Sequence, residues 1–147
     1  MANQPEILTK PFELGYTYTR STGPLIGRFL TELREGRITG VRGCDGGVIV
    51  PPAEYDPVSC AALTDIVAVA DTGIVTTWCW VRQPTSHHVL QRPFAFALVK
   101  LDGTAVPMLH VVDAGEESAM RTGMRVKARW AAERRGSITD IACFEPA

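Results

Sequence analysis

The sequence predicts a mainly β protein: a small closed barrel of five or six strands, behind an N-terminal helix and a compact glycine- and proline-rich segment. Three observations carry that reading. From Leu63 onward, six short runs rich in β-branched and aromatic residues follow one another at strand length. Turn chemistry separates them at Asp71-Thr72-Gly73, Asp102-Gly103 and Arg134-Arg135-Gly136-Ser137. Ahead of them, Leu25, Ile26, Phe29, Leu30 and Leu33 recur at the spacing of one amphipathic helix.

Taken in order, residues 1–23 hold Pro5, Pro11 and Gly15 among Thr17, Tyr18, Thr19 and Ser21 without helical or alternating periodicity. They read as an extended arm lying on a surface, its own or a partner's. Residues 24–36 form the helix, with Pro24 in its first turn and Gly36 at its stop. Its stripe, with Phe12, Tyr16 and Tyr18 of the arm, offers more apolar surface than the following segment can cover, so a hetero-complex or a homo-oligomer is expected to cover it. Residues 37–62 are punctuated by Gly40, Gly43, Gly46, Gly47, Pro51, Pro52 and Pro57, and contain too little apolar mass to stand alone. Units of that kind are commonly held by a metal.

Residues 63–147 are the barrel domain, with strands expected at 65–70, 74–82, 94–101, 105–112, 124–131 and 138–144. Asp102-Gly103 between two apolar runs is the clearest hairpin mark. A single helical turn is expected within 116–123, ended by Gly123. A turn of helix ahead of the last barrel strands is common in OB-folds, the five-stranded Greek-key barrels.

With 147 residues, 46% of them hydrophobic and 21% charged, the chain fits one ordinary domain or a small barrel with an appendage. A formal net charge of −1 gives no global attraction to nucleic acid or anionic lipid. The first residues, Met1-Ala-Asn-Gln-Pro-Glu-Ile-Leu, lack the cationic and apolar regions of a signal peptide, and no run of about 18 apolar residues occurs. A cytoplasmic location without a membrane partner is expected, with Cys44, Cys60, Cys79 and Cys143 as free thiols.

The order of parts is recognisable. A helix ending in Arg34-Glu35-Gly36-Arg37-Ile38, then Val48-Ile49-Val50-Pro51-Pro52, then Gly73-Ile74-Val75-Thr76-Thr77-Trp78, Pro93-Phe94-Ala95-Phe96-Ala97-Leu98-Val99 and Gly123-Met124-Arg125-Val126 resembles the acyl-CoA-associated zinc-ribbon/OB-fold family over residues 24–146. In that family a rubredoxin-like ribbon before the barrel supplies two Cys-x-x-Cys pairs to a zinc ion. Counted from the Pro51-Pro52 landmark, the first pair would fall on Arg42 and Asp45 and the second on Asp56 and Ser59. None is cysteine, and Cys44 and Cys60 each miss an expected position by one residue. The ribbon is therefore expected to be degenerate and metal-free, with Arg42 pairing to Asp45 or Asp56. The resemblance implies a non-catalytic accessory subunit without cofactor. Its partner would be a thiolase-like acyl-CoA enzyme, a thiolase or an aldolase, in lipid or steroid degradation, with acyl-CoA as a further contact.

The residues themselves support no independent enzyme. No nucleophile elbow, phosphate-cradling glycine loop or His-Glu-x-x-His occurs. His87 and His88 read as solvated loop imidazoles, and His110 as facing outside the barrel or making one buried hydrogen bond. Asp45 and Asp56, conceivable as an acid/base pair, read as loop acids. Trp78 and Trp80, two apart on a strand, share one face with each other: core if inside, a sticky or base-stacking surface if outside. Arg82, Arg92, Arg121, Arg125 and Arg129 all fall in the barrel half, so a phosphate-binding patch is conceivable. The residues expected to bind the partner or acyl-CoA are Phe29, Trp78, Trp80, Arg82, Arg92 and Phe94. A nucleic-acid-binding OB-fold is the alternative reading, disfavoured by the near-neutral charge.

Overall fold

The computed structural model describes residues 9–147. The first eight residues of the arm, including the stretch read for a leader, lie outside the described residues. Residues 9–22 form neither helix nor strand, and Phe12, Leu14, Tyr16 and Tyr18 are all exposed, so these four find no cover among the described residues.

The helix α1 spans Pro24–Arg34. No side chain at its N-terminus caps it; instead the distant Glu54 carboxylate accepts the amides of Leu25 at 2.9 Å and Ile26 at 3.3 Å. An anion there satisfies orphan donors and complements the helix dipole. At the other end Gly36 takes φ 73°, which lets its amide reach the Leu33 carbonyl and the Arg37 amide reach that of Glu32. That paired closure is a Schellman motif, and it needs the left-handed residue that glycine supplies. The helix buries Leu25, Phe29 and Leu33 within the molecule. The expectation that this stripe awaits a partner is therefore corrected: Phe29 packs in the main core together with barrel residues.

The segment after the helix forms a three-stranded antiparallel sheet in the order β2-β1-β3, with β1 Ile38–Arg42, β2 Val48–Ile49 and β3 Ile66–Val69. Five strands then close the barrel in the order β4-β5-β6-β8-β7: β4 Thr72–Val81, β5 Phe94–Leu101, β6 Met108–Val112, β7 Arg125–Trp130 and β8 Ile141–Pro146. The first of the six expected strands thus belongs to the smaller sheet, where Ile38 to Val41 pair with Val69 to Ile66. Local alternation identifies a strand but not its neighbour, and β3 feeds β4 with only two residues between. Short 3₁₀ turns at Glu117–Ala119 and Ile138–Asp140 precede the last two strands. The second is fixed by a capping box in which Ser137 and Asp140 satisfy each other's backbone amides.

A β-bulge in β4 between Val75 and Thr77 decides what faces inward. The extra residue switches the parity, so Val75, Trp78 and Trp80 all turn toward the core although odd and even numbers mix. Trp78 and Trp80 lie directly opposite Ala97 and Ala95 of β5, small residues that leave room for indoles inside a narrow barrel. Both tryptophans and Trp130 are half-buried against the core, which resolves their two readings in favour of the interior.

Candidate functional site

The six residues expected to contact partner or acyl-CoA do not assemble into one site. Phe29 and Phe94 are 2% and 0% exposed, so both are core rather than contact residues. Phe94 belongs to a second, outer cluster with Val111 and Cys143, roofed by the β4–β5 loop through Leu90. His88 is part of that roof. Its ring meets Phe94 edge-on at 5.5 Å and Phe96 at 6.0 Å, while Nδ1 accepts the Thr85 amide at 2.8 Å. The reading of two solvated imidazoles thus holds for exposed His87 and is corrected for half-buried His88.

Arg82 and Arg92 are exposed, but each is engaged by an acid. Arg82 grips Glu117 with two nitrogens at 3.1 and 3.2 Å. Arg92 pairs with Asp113, a buried carboxylate that Arg129 also reaches at 3.0 Å, while Arg129 extends to Glu145 at 3.2 Å. Arg125 holds Asp102 bidentately at 2.7 Å, and with the Thr72 hydroxyl this brings the Asp102 carboxyl down to about 2. Four of the five barrel arginines therefore spend their charge on carboxylates. A groove for single strands or for CoA phosphates needs cations facing an open channel, and these pairs provide none.

His110 occupies the barrel seam. β6 and β8 run parallel and share a single register pair, Val112 with Phe144, so the wall is thin there. The imidazole sits edge-on to Phe144 at 5.4 Å, and burial pushes its pKa below the ordinary histidine value. It is paired with inward-turned Ala97 on β5, and at the thin seam it also lines a cavity on the outer surface. An imidazole with a lowered pKa and without a carboxylate or nucleophile partner is a poor proton shuttle. Cys143, the buried thiol, is likewise inert: burial pushes its pKa up to about 11.

What the sequence reading missed is an apolar concavity on the outside of the barrel. Val89, Phe96, Leu109, Val111, Ile138 and Ile141, together with His110, line a shallow cavity of about 190 Å³. Leu109 is 64% exposed, Val89 52% and Ile138 39%, an unusual concentration for a strand face turned to water. Leu109 lies in the run Met108-Leu109-His110-Val111, where alternation already pointed one of each pair outward; only the returning β4–β5 loop and the Ile138 turn make the patch contiguous. Such a surface can hold an apolar partner side chain and can do no covalent chemistry.

Arg42, Asp45, Asp56 and Ser59 stand at the four positions where the resembled family would place zinc ligands. Arg42 pairs with Asp65 at 3.1 Å and donates to the Gly46 carbonyl at 3.1 Å, so the expected pairing to Asp45 or Asp56 is corrected. Asp45 Oδ1 accepts the Gly47 amide at 2.8 Å. Asp56, only 6% exposed, accepts from Val58, Ser59 and Cys44, and these bonds, Ser59 and Cys44 foremost, hold its carboxyl well below the ordinary range against the opposing effect of burial. The Ser59 hydroxyl lies 3.3 Å from Cys44 Sγ. Among the described residues no three His, Cys, Asp or Glu side chains converge, and a guanidinium stands where a thiolate would be needed, so this donor set does not fit zinc.

No helix among the described residues is long and apolar enough to cross a membrane. Residues 66–131 match the family model described as ChsH2, C-terminal OB-fold domain. No curated protein matches the chain in sequence. Among solved structures, the chain is similar to a protein of unknown function from the DUF35 family of Sulfolobus solfataricus, with 18% identity and a TM-score of 0.58 over 73% of this chain and 78% of that one. It is also similar to a chain of the Ltp2-ChsH2(DUF35) aldolase, with 19% identity and a TM-score of 0.61 over 81% of this chain and 91% of that one. At such identities the two structures speak for the fold. The family match covers β3 to β7, so four of the five barrel strands lie in the stretch that is similar to the ChsH2 OB-fold domain.

Proposed function

We propose that the chain is a non-catalytic accessory subunit, working in the cytoplasm, that binds a thiolase-like acyl-CoA enzyme, a thiolase or an aldolase of lipid or steroid degradation. The observation that carries this reading is the match of its barrel to the ChsH2 OB-fold domain, a type that is found in an aldolase complex with Ltp2. Two features support it. The outer patch around Leu109 leaves apolar surface for a partner to cover, and the arm presents Phe12, Leu14, Tyr16 and Tyr18 at alternate positions, all exposed. The alternative of a nucleic-acid-binding barrel loses support because Arg82, Arg92, Arg125 and Arg129 are paired with acids.

Co-expression with candidate thiolase-like enzymes, read by size-exclusion chromatography, tests the proposal. A stable complex that Leu109→Glu weakens at least roughly tenfold, while the variant keeps its thermal midpoint, is the expected result. A chain that elutes alone beside every such enzyme refutes it.

A further inference from the structure

The place where the family would hold a metal is closed by other means. Two turns meet there: residues 43–47, between β1 and β2, and residues 56–60. Each is closed within itself, the first by Gly43 and Gly47 and by Gly46 and Gly43, the second by Cys60 donating to the Asp56 carbonyl. Within a single turn nothing holds one to the other. Side chains do so: the Ser59 hydroxyl reaches Cys44 Sγ at 3.3 Å, and the Asp56 carboxylate gathers amides from both turns. Its Oδ1 accepts the amides of Val58 at 3.0 Å and Ser59 at 2.8 Å and the Ser59 hydroxyl at 3.0 Å. Its Oδ2 crosses to the other turn and accepts the Cys44 amide at 3.0 Å. A carboxylate offers about four acceptor sites, and four bonds reach this one, three at Oδ1 and one at Oδ2.

We infer that the Asp56 carboxylate does in this chain the cross-linking that a bound metal does in a ribbon, so that this lobe folds as a metal-independent unit. The charge logic is inverted relative to a zinc knuckle. There a cation gathers thiolates; here an anion gathers amide and hydroxyl dipoles, and no counter-cation is required. The fit is close as well as polar. A Cβ on Gly43 would come 3.3 Å from Asp56 Oδ2 and 3.1 Å from Asp45 Oδ1, so the first turn passes close to the carboxylate of the second. Arg42, at the first ligand position, brings a positive charge that would oppose a cation and is directed instead to Asp65 and Gly46.

The full-length chain, purified without added metal, tests this by elemental analysis, thermal unfolding with and without EDTA or zinc, and amide hydrogen exchange. Less than about 0.1 equivalent of zinc, iron or copper, and a thermal midpoint that neither EDTA nor zinc moves by more than about 1 °C, are expected. Asp56→Ala should speed exchange of the Cys44, Val58 and Ser59 amides at least roughly tenfold and lower the midpoint by on the order of 5–10 °C, leaving the barrel amide of Val99 protected. Should Asp56→Ala fail to fold, Asp56→Asn is read the same way at the Cys44 amide. A stoichiometric metal whose removal lowers the midpoint overturns the inference, as does unchanged exchange at Cys44 and Ser59 in either variant.

Discussion

Phe29 is where the helix reads as a docking stripe in the sequence and as core in the fold, and Phe29→Ala separates the two. The side chain is 2% exposed and packs within the cluster that also holds Leu33, Ile38, Val75 and Val99. Removing a buried phenylalanine forfeits its transfer free energy and leaves a cavity, at a cost of about 3–5 kcal/mol. A chain of 147 residues unfolds with an entropy of about 0.3 kcal/mol/K, so the midpoint should fall by about 10–16 °C. Thermal unfolding followed by circular dichroism and by tryptophan fluorescence measures it, because Trp78, Trp80 and Trp130 pack against the same cluster and report its loss directly. The refuting result is a variant that melts within about 2 °C of the parent and loses only its binding partner, since that would make Phe29 a surface residue.

Three further substitutions probe separate parts of the fold. Gly73 pairs with Leu101 at the start of β4, and a Cβ there would run into the Lys100 carbonyl oxygen and lie 2.8 Å from Leu101 Cα, so Gly73→Ala should destabilise by about 2–3 kcal/mol in a urea titration. Thr39 carries a buried hydroxyl without a hydrogen-bond partner; Thr39→Val should raise the midpoint by about 3 °C, from roughly 1 kcal/mol of relieved desolvation. For His110 the sign follows from burial: its pKa is lower folded than unfolded, so the unfolded chain binds more protons as pH drops below about 6.5, and stability must fall with it. The slope from one such group is at most about 1.4 kcal/mol per pH unit, and in midpoints measured between about pH 7 and pH 5, His110→Leu should remove that share of the decline.

Local chemistry made several parts of this protein legible from residues alone. Pro24 and Gly36 bracket the helix because a missing amide proton and a left-handed glycine act within one turn of the chain, and the structure closes that helix at Gly36. Asp102-Gly103 marks a hairpin for the same reason, with Gly103 at φ 84° between β5 and β6. Alternation identified the strands themselves, and the order of motifs identified the barrel type that the family match carries over residues 66–131.

What needed the tertiary structure are contacts between residues far apart in sequence. Local alternation leaves open whether Ile66–Val69 pairs with β1 or joins the barrel, and it does not announce the bulge that turns Trp78 and Trp80 inward. Arg82, Arg92 and Arg125 read as available cations until Glu117, Asp113 and Asp102 are brought to them from 35, 21 and 23 residues away. The missing cysteines are visible in the sequence; the carboxylate that spans from one turn to the other, 12 residues apart, is not. Helix caps and turns are set by forces acting over a few residues, whereas partners, faces and clamps are set by where the folded chain returns to itself.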